Sequence, residues 1–205
     1  MAINTKKPAM KQTVGAQYMC FANTTEGGEY DGTYEADVEK TEVVKSVKVT
    51  ENSETSDVYA SGKIYDSDSP MSSIDIEVSV IAFPDDTISK MRGETKGTGG
   101  LILAGGKSER PFFAFGKVVK LKNGKSRYEW FPKCKLVENS DDIVTSEEKA
   151  SEQTDTIKIR AYPFDAEGNI VSKVTESTAP AGLTEEKFFA KPILTDADLT
   201  TVVGA

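Results

Sequence analysis

Residues 110–137 read RPFFAFGKVVKLKNGKSRYEWFPKCKLV, and the predicted fold is built outward from this stretch. Asn123-Gly124 tolerates the two positive φ angles of a type I′ turn, which predicts a β-hairpin with a two-residue loop. Counting outward from that loop places Val119 opposite Tyr128. Because side chains alternate along a strand, one face of the hairpin then holds Val119, Tyr128, Phe115, Trp130, Phe113, Cys134 and Leu136. This face is expected to pack on a core.

The opposite face of the predicted hairpin is basic. It pairs Lys120 with Arg127, and Lys122 and Lys125 flank the loop. Residues 107–135 carry nine Lys/Arg and two Asp/Glu, a local charge of +7 in a chain whose net charge is −8. We therefore expect this face to meet water or an acidic surface.

A second hairpin with an acidic tip is predicted upstream. The runs VVKSVKV (43–49) and VYASGKIY (58–65) have strand-like patterns, and the polar residues 51–57 between them have the composition of a turn. Residues 26–57 carry ten acids and three lysines, a charge of −7. Such segregation suits contacts between copies of one chain, although solvated sheet faces also produce it. The predicted inter-subunit contact residues are Lys120, Lys122, Lys125, Arg127, Glu51, Glu54 and Asp57.

The clearest single strand is residues 72–83, in which apolar side chains occupy alternate positions. Pro84 follows at a helix-start position, and Gly93 is a typical helix stop, so a short helix is predicted between them. The sequence divides into an N-terminal arm with a first strand (1–34), a β domain (35–175) and a C-terminal arm (176–205), which has one predicted helical turn near its middle. The predicted fold is mainly β, with two packed antiparallel sheets forming a sandwich or partly closed barrel, one short flanking α-helix and extended terminal arms.

Composition argues against an enzyme. The 205 residues include no histidine, which removes the usual general base and the histidine-dependent nucleophile pairs. The 33 acidic residues offer many carboxylate pairs and single out none. Cys20 and Cys134 lie more than a hundred positions apart and do not make a disulfide framework, and no cofactor or metal site is expected. The first residues contain no apolar run, which predicts a chain kept in a cytoplasm, with no membrane contact.

The hairpin stretch resembles the signature of the major tail proteins of long-tailed bacteriophages with non-contractile tails. In that family an aromatic-rich strand, a K-x-N-G-K turn and a second aromatic strand follow one another, as in residues 110–136 here. The helix spelled FPDDTISKMRG and the later run TIKIRAYPFDAEGNI agree with the family's order. The resemblance covers about residues 36–175. The sequence departs from the pattern at Pro132, which implies an edge or a bulge.

The resemblance implies a tail-tube protein of the virion, assembled in the host cytoplasm. Six copies would form a ring, and stacked rings would form a channel through which DNA leaves without specific binding. Other tail proteins, such as the tape measure and the tail terminator, would be its partners. Alternatives are a tube protein of a contractile tail, a tail-like bacteriocin or a secretion apparatus. A carbohydrate-binding or cell-surface β-sandwich and a carboxylate-based hydrolase are further alternatives.

Overall fold

The structure is a computed structural model that describes residues 7–23, 29–53, 55–68, 70–105, 109–140, 143, 145 and 154–204. The strands are β1 (Lys11–Phe21), β2 (Glu39–Thr41), β3 (Val44–Ser53), β4 (Ser56–Ala60), β5 (Lys63–Asp68), β6 (Met71–Val80), β7 (Thr95–Lys96), β8 (Ile102–Leu103), β9 (Phe113–Leu121), β10 (Ser126–Ser140), β11 (Asp155–Ala161) and β12 (Ser172–Thr175). The helices are α1 (Asp85–Arg92), α2 (Glu185–Phe189) and α3 (Asp196–Gly204).

The main sheet is antiparallel and has the strand order β2-β1-β9-β10-β11-β6-β3, with β12 also paired to β10. Two short pairs, β4-β5 and β7-β8, lie outside it. The prediction of a mainly β fold with antiparallel sheets and little helix is confirmed. β1 and β3 approach each other, but no hydrogen-bonded pairing joins them among the described strands, so the sheet is not closed into a barrel.

β10 connects the two halves of the main sheet. Its first part pairs with β9 and β12, whereas its second part, from Cys134 onward, pairs with β11. The register shifts between Phe131 and Cys134, around Pro132, which has no N–H to join the ladder. The irregularity implied by this proline is therefore present, and it lets one strand serve both halves.

The main core lies between the two halves of the sheet. The apolar residues that alternate along β6 are buried in it, which confirms the predicted strand. α1 begins after Pro84 and ends at Gly93, whose φ of 67° is left-handed, as the sequence predicts. Its Met91 is buried in the same core. The helix therefore flanks the sheet where it was expected.

The central hairpin has a three-residue loop, so the predicted two-residue loop is wrong. Leu121 N–H donates to Lys125 O at 2.9 Å across the loop, and Gly124 has a φ of 77°. Asn123 Oδ1 accepts a hydrogen bond from Lys125 N–H at 3.1 Å. In such loops a turn is followed by one left-handed residue, a geometry that Asn-Gly also serves well.

The longer loop shifts the register of the hairpin by one residue. Val118, rather than Val119, lies opposite Tyr128. A one-residue shift moves the partner side chains to the other face. The predicted apolar face is therefore divided: Phe113, Phe115, Cys134 and Leu136 lie in the main core, whereas Tyr128 and Trp130 lie on the opposite side. The predicted basic face is divided in the same way. One face of the hairpin enters the main core, and the other belongs to a second core that includes Trp130.

The C-terminal residues cover this second core. The predicted helical turn is present as α2, and α3 follows it. The segment does not extend away from the domain as predicted, because its Phe188, Phe189 and Ile193 are buried against the hairpin. The terminal segment thus covers a face that combines Lys120, predicted on the basic face, with Tyr128 and Trp130, predicted on the apolar face.

The second predicted hairpin has different strand partners. β3 pairs with β6, and β4 pairs with β5 around Ser61-Gly62, where both residues have positive φ. The two ladders follow one another, so residues 44–80 form one long hairpin. The predicted turn at residues 51–57 is therefore wrong, since Gly62 provides the left-handed position and the alternating strand β6 provides the partner. Glu54 lies outside the described residues.

Candidate assembly surfaces

The C-terminal cover, residues 176–204, packs through an aromatic cluster. Phe188 and Phe189 are only 1% and 2% exposed. The ring of Phe189 stacks on Tyr18 with centroids 3.9 Å apart and planes at 1°. Trp130 Nε1 donates a hydrogen bond to Phe188 O at 3.1 Å, so the buried indole N–H has a partner. The cover is therefore held by stacking and by a specific hydrogen bond.

Gly116 makes this packing possible. A Cβ atom at this position would lie 2.7 Å from Phe189 Cε1 and 2.9 Å from Trp130 Cε3, closer than real Cβ contacts come. The two rings occupy the space that a side chain would need. A glycine in the middle of β9 is thus explained by the approach of the cover to the strand.

Polar contacts around Glu185 surround the aromatic cluster. Its carboxylate accepts hydrogen bonds from Tyr18 OH at 2.9 Å and from Lys120 Nζ at 3.1 Å. Burial, followed by the bond to Glu185, raises the pKa of Tyr18 to about 12. Tyr128 OH also donates to the Glu176 carboxylate at the start of the cover. Carboxylates on the cover thus accept hydrogen bonds from donors on the sheet.

A basic cleft lies where β1 and β3 approach without pairing. It consists of two voids of about 400 and 220 Å³ that share part of their lining. Valines from β1, β3 and β9 form apolar walls. The charged lining consists of Lys11, Lys45, Lys117, Arg127, Lys173, Glu51 and Glu129. The sum is five positive and two negative charges, or +3, in a chain whose net charge is −8.

A nearly buried group of charges forms part of this cleft. Lys117 Nζ lies 3.0 Å from Glu129 Oε2, and the two side chains are 10% and 8% exposed. Arg127 Nε lies 2.6 Å from Glu129 Oε1, in a close ion pair without an aligned hydrogen bond. Gln17 is buried opposite Lys117, and its amide has no hydrogen-bond partner within the described chain. Two cations share one carboxylate, so the group favours a further negative charge nearby.

The hairpin tip, residues 56–68, lies beyond the end of the β3-β6 ladder as a separate two-stranded ladder. Its Tyr59, Ile64 and Tyr65 are 68%, 57% and 80% exposed. Two-stranded hairpins are marginally stable in water, and large apolar side chains exposed close together in one short segment are candidates for protein contact. The hairpin tip is therefore the clearest candidate surface for another chain.

The predicted basic contact residues divide into two pairs. Lys120 and Arg127 form ion pairs inside the chain, with Glu185 and Glu129. Lys122 and Lys125 are exposed on the hairpin loop.

The predicted acidic residues lie on the long hairpin. Asp57 accepts a hydrogen bond from Ser67 Oγ at 2.6 Å on the hairpin tip. Glu51 lines the basic cleft together with Arg127. The sequence did not predict that Lys117 and Lys173 line the same cleft. Their proximity depends on the register of the central hairpin and on how the sheet halves face each other.

Comparison with known proteins identifies the family. The sequence matches the family described as phage tail tube protein over residues 1–192. The chain belongs to this family. The resemblance stated from the sequence is therefore confirmed: this tail tube protein is a structural component of the virion, not an enzyme, and it assembles with other tail proteins as an oligomer.

No curated protein matches the sequence. Among solved structures, this tail tube protein is similar to a chain in "Cryo-EM structure of the anti-feeding prophage (AFP) baseplate, 6-fold symmetrised", at 8% identity and a TM-score of 0.41. The similarity covers 84% of this chain and 97% of that chain. No described helix is both long and apolar enough to span a membrane.

Proposed function

We propose that this tail tube protein forms hexameric rings that stack into the tube of a non-contractile phage tail. DNA passes through the lumen during ejection without specific binding. The tape measure protein is proposed to lie in the lumen before ejection, and the tail terminator to close the end of the tube. The ring size, the tail type and the named partners go beyond membership of the family.

The hairpin tip carries this proposal. A chain that leaves two tyrosines and an isoleucine exposed on a marginal two-stranded ladder needs a partner to bury them. The net charge of −8 supports passage of DNA through the tube, because a chain of the same sign as the phosphates does not hold them by neutralisation. We also propose that the exposed Lys122 and Lys125 contact acidic groups of a neighbouring copy.

Negative-stain electron microscopy of the purified protein, over a range of protein and salt concentrations, tests this proposal. We expect rings with six-fold class averages and a central hole, and stacks of these rings at higher concentration. The variant Lys122→Glu/Lys125→Glu should remain folded by circular dichroism but lose or redirect assembly. Solid filaments or rings of another size would contradict the hexameric channel, and unchanged tubes from the variant would remove these lysines from the interface.

A further inference from the structure

The hairpin tip and the basic cleft are complementary surfaces at separate places on one molecule. We propose that the hairpin tip of one copy docks in the basic cleft of the next copy. This contact rests on the proposed function, because it requires that copies of the chain associate. The contact would make each molecule both a donor and an acceptor.

Charge complementarity is the first argument. The cleft lining sums to +3, whereas the sequence of the hairpin tip, SDVYASGKIYDSD, holds three aspartates and one lysine, a charge of −2. A concave site of one sign attracts a group of the other sign more strongly than a flat surface does. The surplus cation of the Lys117-Glu129-Arg127 group provides a counter-charge for an aspartate of the tip.

Apolar complementarity is the second argument. The exposed Tyr59, Ile64 and Tyr65 need apolar surroundings, and the walls of the cleft offer Val14, Val47, Val49, Val119 and Phe131. Tyrosine suits such a site because its ring is apolar and its hydroxyl is polar.

Geometry makes the contact intermolecular. Val47 lines the cleft and Ser61 lies at the end of the hairpin tip, fourteen residues further along the same long hairpin. At about 3.3 Å per residue, an extended chain would separate them by roughly 46 Å. A hairpin that forms one wall of its own cleft cannot also insert its tip there. Contact between two different patches is heterologous, and it repeats into a ring or an open assembly.

Disulfide cross-linking between two variants tests the docking directly. Ser61→Cys places a thiol on the hairpin tip, and Ser46→Cys places one at the cleft, whereas the native Cys20 and Cys134 are buried. Isotope labelling of one variant allows mass spectrometry to identify which thiols join after mild oxidation. We expect the mixed cross-link to exceed that of a control pair, Ser61→Cys with Ser177→Cys, by at least about tenfold. Equal yields from the two pairs would overturn the proposal.

Charge reversal provides a second test in the same assay. Asp57→Lys/Asp66→Lys on the tip should lower the yield of the mixed cross-link by about tenfold or more. Adding Lys11→Glu/Lys173→Glu to the cleft partner should restore it, because both signs are then exchanged. Loss without rescue would overturn the charge pairing. If tubes form but the mixed cross-link does not, this contact is wrong and the proposed function stands. If the cross-link forms but hollow rings do not, the proposed function is wrong and the contact stands.

Discussion

The C-terminal cover and the hairpin tip are both appendages of the main sheet, and they bury their aromatic side chains in opposite ways. The cover places Phe188 and Phe189 in a second core within the same chain. The hairpin tip leaves Tyr59 and Tyr65 exposed. The cover therefore stabilises the monomer, whereas the exposed tip side chains add little to its stability, and we propose that another copy buries them.

The largest expected effect is a difference in stability between a substitution in the cover and one in the hairpin tip. Phe189→Ala should lower the free energy of unfolding by about 3–5 kcal/mol, because it removes a ring from a closed cluster. Tyr65→Ala should change it by less than about 0.5 kcal/mol, since the side chain is exposed. Urea unfolding of the unassembled protein measures both values. Equal losses would mean that the tip is also part of the folding unit.

An intermediate effect is expected where the cover meets β9. Gly116→Ala should cost about 1–3 kcal/mol, because the added methyl group overlaps the rings of Phe189 and Trp130. Gly99→Ala is the matched control, since a Cβ atom there meets nothing within 4 Å. Thermal unfolding and the near-ultraviolet circular dichroism of Trp130 follow the change. Full tolerance of Gly116→Ala would show that the cover docks more loosely than its contacts indicate.

The smallest effect concerns the polar rim of the cover. Tyr18→Phe removes the hydrogen bond to Glu185, which should cost about 1 kcal/mol at pH 8. The pKa of Tyr18 is raised to about 12 from an ordinary value near 10, so folding favours the neutral phenol. Its contribution is complete below about pH 10 and is lost as the pH rises through about 12.

The difference in stability between wild type and Tyr18→Phe should therefore narrow between pH 9 and pH 12. Urea midpoints measured for both proteins across this range follow it. Other tyrosines ionise in the same range in both proteins, so only the difference between the two curves reports on Tyr18. A constant difference would contradict the raised pKa of Tyr18 in the folded protein.

Local patterns in the sequence were sufficient for elements whose signals lie close together in the chain. The alternation in β6 and the Pro84 and Gly93 boundaries of α1 are such signals, and the structure confirms them. The family resemblance was also carried by local order along residues 36–175, and it is confirmed. These features depend on backbone geometry and side-chain alternation over a few residues.

The register and the partners of the strands follow from contacts across the folded molecule. Asn123-Gly124 suits both a two-residue and a three-residue loop, and the choice of one residue determines which side chains share a face. The polar residues 51–57 have the composition of a turn, yet β3 pairs with β6 and not with β4. The C-terminal cover and the basic cleft depend on contacts between residues far apart in the chain, where burial outweighs local preference.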